Sequence, residues 1–329
     1  MNKFVNNKIV VALDVGGSKI AGALWFVGGN LDKKYEIRTE IESSSGVLNG
    51  IFSTLDNLVR DAKNVGEILA IGIGIAGQID YENGTVFSPT NLRVMEPIPL
   101  KFITETRYGY PVFVDNDTNL GALGEAKFGV ANRLKNFIYL SIGTGIGSGI
   151  VIEGKLYHGA HGLAGEVGHM SMMPKGPKCD CGGRGCVEGI ISGRAIAKRA
   201  KEYFKDVSKN NPNEINLIRN GIEATAKDVF IAAKLGDTFS QKIVKEFVFY
   251  LGTLILNLVN FLDPEAIVLG GGIGQDIDEL IEPLNQFIRK RMNLNRGIFP
   301  KILRCGLEKD SCLIGAALQC LEFDTPPMN

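Results

Sequence analysis

Three cysteines crowd into one short stretch, Cys179-x-Cys181-x4-Cys186, and His169 lies ten residues before the first of them. Three thiolates and one imidazole nitrogen complete a tetrahedral zinc site. Four protein ligands leave no open position on the metal, so its role would be structural. Three unbound thiols are the alternative, and the spacing argues against them. Glu166 belongs to Gly165-Glu166-Val167-Gly168-His169, and Glu188 follows Cys186 by two residues. If one nitrogen of His169 binds the metal, the other can meet a ligand hydroxyl in a fixed tautomer. Two carboxylates and an imidazole pinned around one metal suit a polyol. Either glutamate taken alone would read as a surface charge. His158 and His161 read as loop residues. Cys305, Cys312 and Cys320 sit in apolar sequence and read as small core residues.

Four further motifs carry possible chemistry. In Asp14-Val15-Gly16-Gly17-Ser18-Lys19 a strand delivers a carboxylate to its end. Asp14 could hold Mg²⁺ or its water. The glycines let backbone N–H groups approach an anion, and Ser18 and Lys19 could reach phosphate oxygens. A plain glycine hairpin is the other reading. Ser141-Ile142-Gly143-Thr144-Gly145-Ile146-Gly147-Ser148-Gly149 suits a second phosphate clamp. It is no dinucleotide fingerprint, because a strand and not a helix follows. Asp115-Asn116-Asp117-Thr118-Asn119 stands at a strand end before a helix. A carboxylate there can take a proton from an attacking hydroxyl, and Asn116 can both donate to and accept from sugar hydroxyls. An Asp/Asn-rich helix cap explains the same residues. Gly270-Gly271-Gly272, after the strand Ala266 to Leu269, would let a flat nucleoside lie against the backbone.

These residues need strands to deliver them. Lys8 to Leu13 is a β-branched run entering the first glycine turn, and Ile20 to Val27 is its return strand. Ile68 to Ile75 is a strand closed by Gly77, and Pro111 to Val114 is a short strand leading into Asp115. Phe137 to Ile142, a glycine turn and Gly149 to Ile152 repeat the opening pattern about 130 residues later. That repetition suggests two related α/β halves. Apolar spacing predicts helices over Leu48–Lys63, Asn119–Phe128, Ser192–Phe204, Thr225–Leu235, Ser240–Leu262 and Ser311–Leu321, with one more from Gly272 to about Arg291. Asp206 to Glu214 reads as a polar loop. The basic stretch Arg289 to Arg296 reads as a solvated helix end, where cations complement the helix dipole.

Composition removes several classes of function. The chain has 329 residues, 45% of them apolar and 22% charged, enough for roughly two domains and incompatible with wholesale disorder. Lysine plus arginine and aspartate plus glutamate each total 36. That balance argues against a dedicated nucleic-acid binder. Glycine is abundant, 41 residues, and it clusters beside apolar runs as backbone-lined loops require. The run Ile9 to Leu13 is stopped by Asp14, far short of the ~20 residues a spanning helix needs. Tyr250 to Leu262 is broken by Asn257 and Asn260 and reads as a buried helix. The N-terminus lacks a signal peptide's pattern. Clustered metal-type cysteines imply a reducing compartment, so the cytoplasm is expected.

Taken together the motifs resemble the ROK family, bacterial sugar kinases and related repressors of the actin/hexokinase-like ATPase superfamily. The most specific part is Gly165-Glu-Val-Gly-His169 joined to Cys179-x-Cys-Gly-Gly-x-Gly-Cys186-x-Glu188. The resemblance implies two related actin-like/ribonuclease-H-like α/β lobes with a cleft between them, ATP and Mg²⁺ between the lobes, and a sugar in the cleft. On this pattern residues 1–117 plus 306–329 form a smaller N-terminal lobe closed by the C-terminal helix. Residues 118–305 form the larger lobe carrying the zinc loop. The resemblance implies that Asp14, Gly16, Gly17, Ser18, Lys19, Gly143, Thr144 and Gly145 line the phosphate site, and that Gly271 and Gly272 lie by the adenosine. It makes Asp117 the catalytic base. It makes Gly77, Asn116, Asp117, Glu166, His169 and Glu188 the sugar contacts, and His169, Cys179, Cys181 and Cys186 the structural Zn²⁺ ligands. The family often has a tryptophan after Thr90-Asn91-Leu92, where this chain has Arg93-Val94-Met95, so the rim of the sugar pocket differs. The implied activity is an ATP-dependent hexose kinase, first of all a glucokinase acting on the C6 hydroxyl of glucose. N-acetylmannosamine, N-acetylglucosamine and fructose are the alternative substrates. A sugar-responsive regulator is the alternative class; such regulators carry a DNA-binding segment before the first phosphate motif, and only 13 residues precede Asp14 here. Relatives imply a homo-oligomer, dimer or tetramer, with no nucleic-acid or membrane partner.

Overall fold

The structure is a computed structural model that describes residues 7–40, 43–87, 96–210, 224–274, 278–292 and 299–322. Its strands are β1 Lys8–Val15, β2 Lys19–Phe26, β3 Asn30–Arg38, β4 Glu67–Ile75, β5 Gln78–Asp80, β6 Thr85–Phe87, β7 Val112–Asn116, β8 Phe137–Ile142, β9 Ile146–Ile152, β10 Lys155–Leu156, β11 Ala266–Gly270 and β12 Lys301–Arg304. Its helices are α1 Ser44–Val65, α2 Leu100–Tyr108, α3 Asp117–Lys127, α4 Val187–Ile191, α5 Gly193–Asn210, α6 Ala226–Lys234, α7 Thr238–Leu262, α8 Gly271–Gly274, α9 Asp278–Arg291 and α10 Ser311–Glu322.

Two five-stranded sheets form, β3-β2-β1-β4-β7 and β10-β9-β8-β11-β12. Their chain-order patterns are the same, so the repetition in the sequence is a repetition of topology. In the first sheet β1 pairs antiparallel with β2, and parallel with β4, which pairs parallel with β7. The alternation along β1 explains why its sequence is apolar from Ile9 to Leu13. Ile9, Val11, Leu13 and Val15 pack with Val47, Ile51, Leu55 and Leu58 of α1. Val10 and Ala12, on the opposite face, join Leu120 and Leu123 of α3 and Leu313 and Ala316 of α10. A strand covered on both faces has no polar side to show. The register sets Asp14 beside Gly74, and Gly74 beside Asp115. The carboxyl ends of three parallel strands therefore finish level, which is where open α/β sheets bind ligands.

Residues 1–139, 149–165 and 305–329 make one compact unit, and residues 140–148 and 166–304 make a second. The expected boundary after Asp117 falls at the start of α3. The observed first unit keeps α3, because α3 packs along α10 and supplies Leu120 and Leu123 to the same core. In the second unit α7 packs against α4, α6 and α9. Among the described residues α7 is the one helix long and apolar enough to cross a membrane, with mean hydropathy 1.4 over its most apolar stretch. Its Ile243, Phe247, Leu251, Leu254 and Ile255 are buried in the fold, as in a core helix.

The expected strands and helices form, with ends shifted by a few residues. β3, α2 and the short elements β5, β6, β10, β12 and α4 lacked a sequence signal. β3 is an edge strand with only Leu31 and Tyr35 half-buried, so it shows no apolar alternation. α5 continues through Asn210, which shortens the polar loop expected from Asp206; residues 211–214 lie outside the described residues. The helix expected from Gly272 is α8 and then α9, with 275–277 outside the described residues. Arg289 and Arg291 end α9, while 293–296 lie outside.

One buried carboxylate ties the last helix to the third. Glu125 is fully buried. It accepts hydrogen bonds from the N–H groups of Val130, Gly306 and Leu307 at 2.9–3.0 Å and from Ser311 Oγ at 2.9 Å. Removing the carboxylate strands four donors, Ser311 Oγ buried and the other three part-buried, and a buried donor left unmet costs about 1–3 kcal/mol. Glu125→Ala should therefore lose at least ~3 kcal/mol of stability in urea unfolding. A loss under ~1 kcal/mol would show that the tie is dispensable.

Candidate functional site

The first unit gathers one set of the expected residues at the carboxyl ends of β1, β4 and β7. Gly16 N donates to Lys19 O at 2.9 Å, closing the turn that follows Asp14. Thr39 pins this turn from the end of β3: its Oγ1 donates to Gly16 O at 2.7 Å and its N to Ser18 O at 3.2 Å. Gly17 and Ser18 lie within it. Lys19 is directed elsewhere than expected. Its Nζ pairs with Glu36 Oε2 on β3 at 2.8 Å, in an exposed ion pair.

Asp14 stands among acidic neighbours. Burial pushes its carboxyl above the ordinary carboxylate range, while the Cys312 thiol donating to it and the charge of Lys19 pull it down. Cys312, expected as plain core, opens α10 beside three carboxylates. Burial, then Asp14, Asp117 and Asp115, push its thiol well above the usual range. The strand between these groups has no side chain at the crossing point. A Cβ on Gly74 would lie 2.4 Å from Cys312 Sγ and 3.6 Å from Asp117 Cα.

Asp117 is the first residue of α3, and Asn116 is its cap. Asn116 Oδ1 accepts from Thr118 N at 2.9 Å and from Thr118 Oγ1 at 2.5 Å, and its Nδ2 donates to Gly77 O at 2.9 Å. The capping reading of this motif is therefore correct. One amide N–H of Asn116 is left over for a ligand, since a carboxamide has two. Gly77, Asn116 and Asp117 are brought together; Thr90 to Met95 lie outside the described residues.

The second unit gathers the rest. Gly143 N donates to Gly145 O at 3.0 Å, closing the second glycine turn, and Thr144 is exposed at its tip. Gly193 N donates to Gly143 O at 2.8 Å, and Gly271 packs on the Ile142 backbone. Gly143, Thr144, Gly145, Gly271 and Gly272 thus share one neighbourhood.

The four expected metal donors converge. One ligand atom from each of His169, Cys179, Cys181 and Cys186 lies within 4.8 Å of the others. Cys181 Sγ and Cys186 Sγ are 3.7 Å apart, and Cys179 Sγ is 3.8 Å from His169 Nδ1. Two sulfurs each ~2.3 Å from a tetrahedral zinc would be separated by about 3.8 Å, so the donor set fits that ion. Burial and the two neighbouring thiols push Cys186 up to about 12. Cys179 is also raised, mainly by burial. A cation is what would let these sulfurs carry charge.

His169 turns its second nitrogen toward Glu166, with Nε2 3.8 Å from Oε2. Burial raises the Glu166 carboxyl; the His169 charge opposes this and Glu188 adds to it. Glu188 sits on α4 rather than on the loop, and it is 5% exposed. Its Oε2 accepts Ile146 N at 2.7 Å and its Oε1 accepts Arg194 at 3.4 Å. An ionised carboxylate offers about four acceptor sites, so these bonds leave room for hydroxyls. Glu188 also joins the cysteine loop to the glycine turn at Ile146. The Val167–His169 turn packs on the same residue: a Cβ on Gly168 would fall 2.0 Å from Ile146 O.

Sequence reasoning passed over three groups. Arg194 binds Glu188 and, at 3.1 Å, Asp180. Asp115 and His158 pair at 2.7 Å. No local spacing signals these contacts, which span up to 43 residues. The small number of histidines, 3, was the one available hint. His161 is exposed, as a loop residue should be.

Two sheets of one strand order, each opened by a strand, a glycine turn and a return strand, define the actin-like ATPase class of α/β protein. Within that class the chain belongs to the ROK family, whose family model matches residues 10–322. It is 36% identical over 285 residues to a glucokinase of Halalkalibacterium halodurans, covering 86% of each chain. It is 33% identical over 299 residues to a xylose repressor of Caldicellulosiruptor bescii, covering 88% of this chain and 72% of the repressor. A crystal structure of a ROK family glucokinase from Streptomyces griseus, in complex with glucose and AMPPNP, superposes with a TM-score of 0.83 at 29% identity, over 95% of this chain and 99% of that one.

The elevated Asp14 carboxyl has a consequence for stability. A carboxyl raised on folding stabilises the fold below its ordinary value of 3.8, and that contribution is lost as pH rises through the higher folded value. Asparagine never carries the buried charge. Asp14→Asn should therefore unfold at a higher temperature than wild type at pH 7 without divalent cations, with the gap closing toward pH 4. A variant less stable than wild type at pH 7 would contradict the burial argument.

Proposed function

We propose that this protein is an ATP-dependent hexose kinase that transfers the γ-phosphoryl group to the C6 hydroxyl of glucose. The observation that carries the reading is Asp117, set at the end of β7 by the Asn116 cap, near the strand-end carboxylate Asp14. The likeness to glucokinases supports it. N-acetylmannosamine, N-acetylglucosamine and fructose offer similar hydroxyls and are the alternative substrates.

In this reading Asp117 accepts the proton of the primary hydroxyl as its oxygen attacks the γ-phosphorus in line and ADP leaves. Asn116, Gly77, Glu166, His169 and Glu188 hold the sugar hydroxyls. The glycine turns at Gly16–Ser18 and Gly143–Gly145 offer backbone N–H groups to phosphate oxygens, and Gly271 and Gly272 border the nucleoside. A magnesium ion held by Asp14, directly or through water, would supply positive charge to the phosphoryl oxygens. Zinc on His169 Nδ1, Cys179, Cys181 and Cys186 would be closed to substrate and would only fix the loop that carries Glu188 and orients His169 Nε2. Catalysis then rests on positioning and electrostatics. Lys19 enters the reading as a residue that must leave Glu36 to reach phosphate. The cytoplasm, where ATP is abundant and thiolates stay reduced, is the matching compartment.

A sugar-responsive regulator is the competing reading, favoured by the likeness to a xylose repressor. It predicts sugar binding without nucleotide turnover. A coupled ATP-turnover assay over glucose, the two acetyl-hexosamines and fructose separates the two. Glucose should give the highest kcat/KM. Asp117→Asn should keep sugar and nucleotide binding and lose at least ~10²-fold in turnover. Near wild-type turnover in that variant would refute the role of Asp117. Sugar binding with no turnover on any sugar would favour the regulator.

A further inference from the structure

Asp115 and His158 lie outside the residues assigned above, yet the geometry ties them to Asp117. Asp115 is 5% exposed. Its Oδ2 is 2.7 Å from His158 Nε2. Its Oδ1 accepts the Asn116 N–H at 2.6 Å and Asn119 Nδ2 at 3.0 Å. Asn116 and Asn119 bracket Asp117 in the chain. A carboxylate only accepts, so His158 must present an N–H at Nε2. The imidazole is itself held. Tyr81 stacks on it with ring centroids 4.1 Å apart and planes 18° apart, and His158 O accepts from Ala164 N at 3.1 Å.

We propose that His158 is a positioning residue, which acts through Asp115 to fix the backbone on both sides of Asp117 and so the aim of its carboxylate. Asp115 is the hub, with three donors converging on one buried group. Two of them belong to the strand-to-helix corner that carries Asp117, and the third comes from a segment 43 residues further along the chain. Without His158 one oxygen of Asp115 loses its partner, and the carboxylate is free to turn away from Asn116 and Asn119. The cores holding β7 and α3 do not involve His158, so the fold survives while the corner loosens. A misplacement of about 1 Å at a reacting group costs on the order of 10²-fold in rate.

The inference rests on the reading of Asp117 as the base, and its test keeps the two separable. His158→Ala should lower kcat with the best sugar by about 10- to 100-fold, raise KM for that sugar by a smaller factor through Asn116, and move KM for ATP by less than about threefold. His158→Gln, whose amide can donate to the same oxygen, should recover most of the loss. In an Asp115→Asn background, His158→Ala should have little further effect. Amide hydrogen exchange across residues 115–120 should speed up in His158→Ala, with other core segments unchanged. An unaltered kcat in His158→Ala, no rescue by glutamine, or full additivity with Asp115→Asn would overturn the proposal. If the wild type turns over no sugar, the reading of Asp117 falls. Exchange alone then decides: faster exchange at 115–120 upholds the tie, and unchanged exchange refutes it.

Discussion

Cys179, Cys181, Cys186 and His169 place their ligand atoms within 4.8 Å of one another, and two of the three sulfurs are buried. Burial, and at Cys186 the neighbouring thiols as well, raise Cys179 and Cys186, so charge on these two sulfurs is costly without a cation. With one, the same crowding becomes a tetrahedron of ordinary bond lengths. The constraint reaches beyond the cysteines. The 310 turn of His169 packs against Ile146, and the cysteine loop leads directly into α4, where Glu188 meets the Ile146 N–H. The loop, the imidazole and the second glycine turn thereby meet at Ile146 within the second unit.

The first unit solves a different problem, which is how to keep carboxylates at the end of a buried sheet. Parallel pairing of β1, β4 and β7 sets Asp14 and Asp115 level, with Gly74 between them. Their charges are compensated unequally. Asp115 collects three hydrogen-bond donors, whereas burial dominates at Asp14 and leaves it a raised carboxyl. A carboxylate well supplied with donors orients its neighbours, and one poorly supplied gains from a cation. In the proposed kinase Asp115 would position, Asp117 would receive the proton and Asp14 would meet the metal.

Some of this was legible in the sequence. The cysteine loop could be read because its donors are close in the chain and zinc geometry is demanding. The strand ends could be read because glycine turns follow β-branched runs, and the repeat of that pattern corresponds to two sheets of the same order. Other features depend on tertiary contacts with no local mark. β3 is polar because it is an edge. Lys19 pairs across the hairpin with Glu36, a partner no motif implies. Glu188 sits on a short helix, and its partners Ile146 and Arg194 lie on either side of it in the chain. His158 reads as a loop residue until the fold sets it against Asp115. Cys312 reads as core until its three acidic neighbours are placed. Local chemistry was visible, and the contacts that tune it were not.

Zinc content and glucose binding, measured on one preparation before and after chelation, test the account most directly. The account predicts one zinc per chain as isolated. It also predicts that stripping the metal weakens glucose binding by at least ~10-fold in calorimetry, with recovery when zinc is returned. Metal-free protein that binds glucose as tightly as the zinc-loaded form would contradict it.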